Sequence, residues 1–170
     1  HAKNFMEMII NGFEIGPKAT RIGIVHFGTK NYEIVQLNDC ADKACLLKKT
    51  DNMLYKGGLT CTGLALLEAM TMLKNGEKEF LRNPNSNRKQ LIVTITDGME
   101  QCFKGRKVPL YAPQAKSKGI ELYVVGIGGY VKLGNVILNL LSGNDPARIF
   151  LCSQYKELSQ IFANQVKKQI

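Results

Sequence analysis

The sequence contains no tryptophan and only two histidines, one of which is the first residue. Histidine is the side chain that most often transfers protons in enzymes. With two histidines, the sequence offers few candidates for the base that would activate a catalytic nucleophile. The phosphate loop GxxxxGK[ST] and the nucleophile motif GxSxG are both absent. His26 lies in an apolar run and is best interpreted as a core residue. The sequence therefore argues against an enzyme and favours a binding module.

Long apolar runs are also missing. No stretch approaches the ~20 consecutive apolar residues that a membrane-spanning helix needs, so we expect no membrane insertion by this domain. Hydrophobic residues make up 45% and charged residues 22% of the 170 residues, which is typical of a folded globular protein. We expect a single domain over residues 1–170, because a chain of this length can bury a core of sufficient size.

Acidic residues are scarce relative to basic ones. The chain has 23 Lys and Arg against 14 Asp and Glu, which gives a formal net charge of +9. A basic surface attracts anionic partners such as sulfated glycans. The densest basic patch consists of Lys104, Arg106 and Lys107. This patch predicts either a glycan-binding surface or a charged, solvated loop.

Cysteines at the spacing of a zinc or thioredoxin motif are absent. The five cysteines stand at positions 40, 45, 61, 102 and 152, and none belongs to a CxxC pair. Cys40 and Cys45 bracket a short polar stretch that could close as a local disulfide loop. The odd number leaves one thiol free or paired outside this chain. Because disulfides form in oxidising compartments, the cysteine usage favours a secreted protein.

The apolar pattern predicts alternating strands and helices. Strands are expected where β-branched and apolar residues cluster, at 21–27, 32–37, 91–96, 120–127 and 148–152. Helices are expected where the spacing is helical, at 1–15, 41–53, after Gly57-Gly58, and at 111–118, 132–142 and 155–168. The first two strands suit an antiparallel hairpin, and the later strands are apolar throughout, as in parallel sheets. The sequence predicts an α/β, doubly wound, Rossmann-like fold with a mostly parallel sheet, one antiparallel edge strand and helices on both faces.

Two short motifs stand where such folds bind ligands. Asp97, in the motif TDG, directly follows the predicted strand 91–96, and ligands of parallel sheets sit at the carboxyl ends of the strands. Its carboxylate could bind a divalent cation, polarise a water or form a turn. The segment GGLTCTG, 57–63, places Thr60 and Thr62 at the start of a helix. Their hydroxyl groups could cap that helix or ligate a hard cation.

These segments resemble the von Willebrand factor type A domain, also called the integrin I domain. The resemblance rests on separate stretches that follow the family's order along nearly the whole chain: FEIGPKATRIGIVHFG, YKGGLTCTGLALLEA, RKQLIVTITDGMEQ, GIELYVVGIGG and RIFLCSQYKELSQI. The first stretch is especially similar to those of collagen VI and matrilins. The resemblance implies a secreted or extracellular module that binds a matrix protein such as collagen, or a cell-surface receptor or glycan, and not nucleic acid.

The family binds a divalent cation, usually Mg²⁺, between three loops at the top of the sheet, in a metal-ion-dependent adhesion site (MIDAS). By resemblance, Thr60 matches the threonine of the second loop and Asp97 the aspartate of the third. The expected cofactor is therefore Mg²⁺, or alternatively Mn²⁺ or Ca²⁺. The family's first metal loop, Asp-x-Ser-x-Ser, occurs nowhere in this sequence. We therefore expect the domain to be incomplete at its N-terminus, without the first strand and that loop.

The loop placement implied by the resemblance leads to two further expectations. Glu100 is either an acid that holds a metal-bound water, with Thr62 beside it on the ligand face, or a solvated loop residue. Cys61 and Cys102 lie in the second and third loops, which the fold would bring together. They are either joined as a disulfide or remain as one buried and one exposed thiol.

Extracellular adhesion by capture of a partner's carboxylate at a cation is the function that the resemblance implies. One alternative is metal-independent binding of sulfated glycans through Lys104, Arg106 and Lys107, which would weaken steeply as salt is added. Another is an intracellular scaffold, in which the cytosol would keep all five cysteines reduced.

Overall fold

The computed structural model describes residues 2–54, 56–80, 89–102, 108–128, 131 and 135–152. Its helices are α1 (Ala2–Asn11), α2 (Lys43–Asn52), α3 (Thr62–Phe80), α4 (Val108–Ser117) and α5 (Val136–Leu141). Its strands are β1 (Ile24–Phe27), β2 (Asn31–Val35), β3 (Leu91–Thr96), β4 (Glu121–Ile127) and β5 (Ile149–Cys152). A 3-10 turn at Pro146–Arg148 leads into β5. From α3 onward helices and strands alternate, as the apolar pattern predicts.

Three strands form a parallel sheet in the order β3–β4–β5. β3 runs beside β4 in register from the pair Leu91 and Glu121 to the pair Thr96 and Gly126. α4 and α5 make the crossovers between successive strands, as parallel pairing requires. Because the strands point the same way, their carboxyl ends share one edge of the sheet. The predicted α/β fold with a parallel sheet is confirmed.

β1 and β2 form a separate antiparallel sheet in which Ile24 lies opposite Val35. This is the predicted hairpin. Within the described part of the chain, β1 and β3 each pair with a neighbour on one side only. All residues of β1 are only half-buried, whereas β4 is buried after its first residue. The expectation that strand 21–27 is buried is therefore wrong, because a strand is fully covered only when it has neighbours on both edges.

Alternate side chains of β4 face two different apolar layers. Leu122 and Val124 pack in a core with α3, α4 and α5. Tyr123 and Val125 point the other way and pack in a second core with Phe5 of α1 and with β5. Complete burial of a side chain such as Val124 contributes about 1.5–3 kcal/mol. Helices therefore cover both faces of β4, as a doubly wound fold requires.

α1 also connects the parallel sheet to the hairpin. Phe5 belongs to the core against β4, whereas Ile10 packs with Val35 of β2 and Leu46 of α2. Phe5, Ile10 and Leu46 are almost completely buried. This helix therefore holds the two sheets in one structure.

Several helix ends differ from the predicted ones by a few residues. α4 begins at Val108 rather than at residue 111. Pro109 is tolerated in the first turn, because the N–H group that proline lacks would have no partner within the helix at that position. α1 ends at Asn11, where a glycine follows, rather than at residue 15. The predicted helix 155–168 lies outside the described residues.

Candidate functional site

Asp97 is the first residue after β3, at the edge where the parallel strands end. Its Oδ1 accepts a hydrogen bond from the N–H group of Met99 at 3.1 Å, and the side chain is partly exposed. Gly98 has a φ of 78°, in the left-handed region that favours glycine. Its carbonyl oxygen accepts a hydrogen bond from Asn135 Nδ2 at 3.3 Å. The turn that carries Asp97 is thus attached to the start of α5.

The Thr60 loop (residues 57–61) runs beside the turn of the hairpin before α3 begins. The N–H group of Leu59 donates a hydrogen bond to Thr29 Oγ1 at 2.9 Å. Gly58 has a φ of 128°, and a Cβ atom at this position would lie 2.5 Å from the same Thr29 oxygen. Only glycine therefore lets the backbone approach the hairpin so closely. This contact holds half-buried Thr60 at the same end of the molecule as the hairpin turn.

The Thr60 loop and the Asp97 loop (residues 97–102) are joined by several links. The N–H group of Thr60 donates a hydrogen bond to Gln101 Oε1 at 2.8 Å, and the N–H group of Gln101 donates to the Thr60 carbonyl at 2.9 Å. A disulfide connects Cys61 to Cys102, with Cα atoms 5.1 Å apart. The loops that carry Thr60 and Asp97 therefore lie side by side.

Glu100 links the Asp97 loop to the start of α3. Its Oε2 accepts a hydrogen bond from the N–H group of Gly63 at 2.9 Å, and its Oε1 accepts one from the N–H group of Cys102 at 3.2 Å. Burial raises the pKa of Glu100, although the N–H groups of Gly63, Cys102 and Thr62 act in the opposite direction. Glu100 is half-buried, and both of its carboxylate oxygens accept backbone hydrogen bonds. Its predicted role in holding a metal-bound water stays a prediction.

The oxygen atoms that the two loops offer are of the chemical types that bind hard divalent cations. The hydroxyl of Thr60 and the carboxylate of Asp97 are ligands that Mg²⁺, Mn²⁺ and Ca²⁺ prefer. Thr62 is buried at the start of α3, and its Oγ1 has no hydrogen-bond partner among the described residues. The described residues contain no group of three or more His, Cys, Asp or Glu side chains placed to hold a metal. A cation bound here would therefore take waters or further ligands in its remaining positions.

The other predicted residues lie away from this site or outside the described structure. Cys40 and Cys45 form a disulfide with Cα atoms 5.4 Å apart, next to the start of α2. Lys104, Arg106 and Lys107 fall in residues 103–107, which lie outside the described residues. The glycan-binding prediction for these three residues therefore stays a prediction.

Comparison with known proteins identifies the family of this domain. A family model for the von Willebrand factor type A domain matches residues 1–164. The chain belongs to the von Willebrand factor type A family. The resemblance seen in the sequence is thereby confirmed.

Several relatives are matrilins. Matrilin-1 of Homo sapiens is 28% identical over 130 residues, which are 76% of this chain and 25% of that protein. Matrilin-3 of Homo sapiens is 32% identical over 125 residues, or 74% of this chain and 25% of that protein. The chain thus spans about a quarter of the length of these curated relatives.

Solved structures of the family share the fold. Proximal thread matrix protein 1 from the mussel byssus, with a zinc-occupied MIDAS motif, gives a TM-score of 0.80 at 23% identity, covering 99% of this chain and 39% of that one. The manganese-loaded TRAP protein of Plasmodium vivax gives a TM-score of 0.69 at 20% identity, covering 94% of this chain and 63% of that one. At these identities the likeness establishes the fold, and the metal sites are properties of those two proteins.

Asn135 and Gln101, which hold the loops of this von Willebrand factor type A site in place, were not identified from the sequence. Asn135 precedes an apolar helical run, and capping rules would have identified it as the start of α5. Its contact with Gly98 and the pairing of Gln101 with Thr60 carry no local signal. These contacts join residues 37 and 41 positions apart, so only the folded chain reveals them.

Proposed function

We propose that this von Willebrand factor type A domain is an extracellular adhesion module that captures a carboxylate of a protein partner at a divalent cation. The hydroxyl of Thr60 and the carboxylate of Asp97 would hold the cation. The observation that carries this proposal is the direct attachment of the Thr60 loop to the Asp97 loop through Gln101 and the Cys61–Cys102 disulfide.

The chemistry of these donors suits such a role. A bound Mg²⁺, Mn²⁺ or Ca²⁺ would supply positive charge and open positions for a partner's carboxylate oxygen. Thr60 offers a neutral oxygen and Asp97 an anionic one, so the protein would neutralise only part of the charge of a divalent cation. The excess positive charge would favour an anionic ligand over a neutral one. We take Mg²⁺ as the physiological ion.

The proposed surroundings are extracellular, and the proposed partner is a matrix protein such as collagen or a cell-surface receptor. Disulfides persist in oxidising compartments, and the described residues contain two. They favour secretion over the intracellular scaffold. No helix in the described ranges has both the length and the apolar character needed to cross a bilayer. The matrilin relatives and the byssal thread matrix protein support a matrix role.

The experiment compares Thr60→Ala and Asp97→Ala with the wild type in the full-length protein that carries this domain. Cation affinity is measured by calorimetry with Mg²⁺ and Mn²⁺, and adhesion is measured on immobilised collagen with and without a chelator. Both variants are expected to lose at least about 10- to 100-fold in cation affinity, because loss of a group that merely orients a metal ligand already costs that much. Adhesion should fall in parallel.

Thr71→Ala is the matched control, because Thr71 lies on an exposed part of α3 and its hydroxyl donates a hydrogen bond to the Leu67 carbonyl of its own helix. It should leave both measurements unchanged. Adhesion that survives the chelator and weakens steeply with salt would instead indicate glycan binding through Lys104, Arg106 and Lys107. Equal cation affinity of Asp97→Ala and the wild type would contradict the proposed function.

A further inference from the structure

We propose that Glu100 and Gln101 are positioning residues, which hold the Thr60 loop and the start of α3 in a fixed place against the Asp97 loop. This inference rests on the proposed function for its effect on cation binding. It assigns a role to two residues that do not need to touch the cation themselves.

The start of α3 has no cap from the residue that precedes it. The first N–H groups of a helix need acceptors from outside the helix. The preceding residue is Cys61, whose sulfur is in a disulfide and offers no side-chain oxygen. The acceptor comes instead from Glu100, whose Oε2 receives the N–H group of Gly63 from 37 positions away. The carboxylate also suits this end of the helix because the helix dipole is positive there.

The same carboxylate is held on its other side by its own loop. Glu100 Oε1 accepts the N–H group of Cys102 at 3.2 Å. Each oxygen therefore has an N–H donor, one from each segment. An amide could not replace this group, because its NH₂ would face one of the two N–H donors. The contact thus requires a carboxylate, and Glu100 stays in place although burial disfavours its charge.

Gln101 fixes the neighbouring point of contact. Its side-chain oxygen and its backbone N–H group form two hydrogen bonds with the backbone of Thr60, at 2.8 and 2.9 Å. Because both bonds use main-chain atoms of Thr60, they hold its backbone without consuming its hydroxyl. The position of that hydroxyl relative to Asp97 then depends on Gln101.

Residues 100–102 therefore make three successive contacts with the segment 60–63: a carboxylate, a paired backbone and a disulfide. Asp97 precedes these contacts in the same short loop. Any loosening of residues 100–102 changes the separation of Thr60 from Asp97. Groups that orient metal ligands typically change metal affinity about 10- to 100-fold when they are removed.

The experiment compares Glu100→Gln with Asp42→Asn in the full-length protein. Asp42 is a matched control: it is an acid at the start of another helix, α2, and one of its oxygens accepts the N–H group of Cys45 at 2.8 Å. An asparagine keeps that single acceptor and remains a good cap. A glutamine at position 100 cannot satisfy both of its donors. Only the first substitution should therefore loosen its helix start.

Two measurements are made at a temperature where all variants are folded. Amide hydrogen exchange at Gly63 and Cys102 should accelerate at least about 10-fold in Glu100→Gln, because these bonds open locally. Mn²⁺ affinity should fall by about 10- to 100-fold. Gln101→Ala should likewise accelerate exchange at Thr60 and weaken Mn²⁺ binding. In Asp42→Asn both quantities should stay within about 2-fold of the wild type.

Wild-type exchange rates in Glu100→Gln would overturn the inference, and so would faster exchange spread evenly through β4, which would mean a general loss of stability. Unchanged Mn²⁺ affinity alongside faster local exchange would also overturn it, because the loops would then move without affecting the site. If the wild type itself binds no Mn²⁺, the proposed function fails. In that case exchange at Gly63 and Cys102 alone decides whether Glu100 holds the loops.

Discussion

The helices α2 and α3 each begin at a disulfide and an acidic side chain that accepts a backbone N–H group. The residues that make these contacts lie close together in the chain for α2 and far apart for α3. At the start of α2, a disulfide joins Cys40 to Cys45, which are 5 positions apart, and Asp42 caps the helix from within that interval. Both of these contacts are local. Neither of them needs a residue from a distant part of the chain.

At the start of α3, the disulfide joins Cys61 to Cys102, which are 41 positions apart, and the capping acid is Glu100. Cys102 and Glu100 both lie in the loop after β3. These contacts therefore form only once that loop has come to lie beside the start of α3. The disulfide and capping acid of α2 are local contacts that stabilise one helix, whereas those of α3 are long-range contacts that connect two loops. The candidate site lies beside the start of α3.

Removing the two disulfides should give the largest difference between the helix starts. On the chain-entropy model, Cys61→Ser with Cys102→Ser should cost about 4 kcal/mol, and Cys40→Ser with Cys45→Ser about 2 kcal/mol. The longer closed loop restricts the unfolded chain more. The free energy of unfolding can be measured from the urea dependence of amide exchange in β4. Equal losses would mean that loop length does not govern stability here.

Removing the two capping acids should give a smaller difference. Glu100→Ala should cost about 2 kcal/mol and Asp42→Ala about 1 kcal/mol. The first substitution leaves the N–H groups of buried Gly63 and half-buried Cys102 without an acceptor, whereas the exposed start of α2 can bond to water. The same urea measurement applies to both variants. A larger loss for Asp42→Ala would contradict the proposed importance of the long-range cap.

The smallest expected effect is a difference in acid titration near the two helix starts. A hydrogen bond from Lys49, at 3.0 Å, lowers the pKa of Asp39 below 3.8, whereas burial raises the pKa of Glu100 above 4.5. Asp39 therefore adds stability that is present above its unfolded pKa and is lost as the pH falls through its folded pKa. The pH-dependent contribution of Glu100 to stability has the opposite sign. It is present below the unfolded pKa of Glu100 and is lost as the pH rises through its raised folded pKa.

Carboxyl carbon chemical shifts followed by NMR would measure both titrations. Lys49→Ala should raise the pKa of Asp39 and leave that of Glu100 unchanged, because the hydrogen bond from Lys49 that lowers the pKa of Asp39 is lost. If Glu100 titrates below Asp39, the assignment of burial as the dominant influence on Glu100 is wrong.

Much of the fold could be predicted because its signals are local. The run LIVTIT predicts β3 and places Asp97 at its end, and both features appear in the structure. The predicted burial of strand 21–27 was wrong, since burial depends on neighbours in space rather than on the apolar residues themselves. The spacing of Cys40 and Cys45 indicates their disulfide without knowledge of the fold.

The candidate site shows the same division. Thr60 and Asp97 could be singled out by motif and family resemblance. The roles of Glu100 and Gln101 could not, because a carboxylate in a loop looks the same whether it meets water or a distant helix. The amino-acid sequence alone determined the helices, the strands and the donor atoms, since short-range periodicity and residue chemistry specify them. Only the tertiary structure decided which loops meet and which loop acid accepts hydrogen bonds from a distant helix, because those contacts bring together residues far apart in the chain.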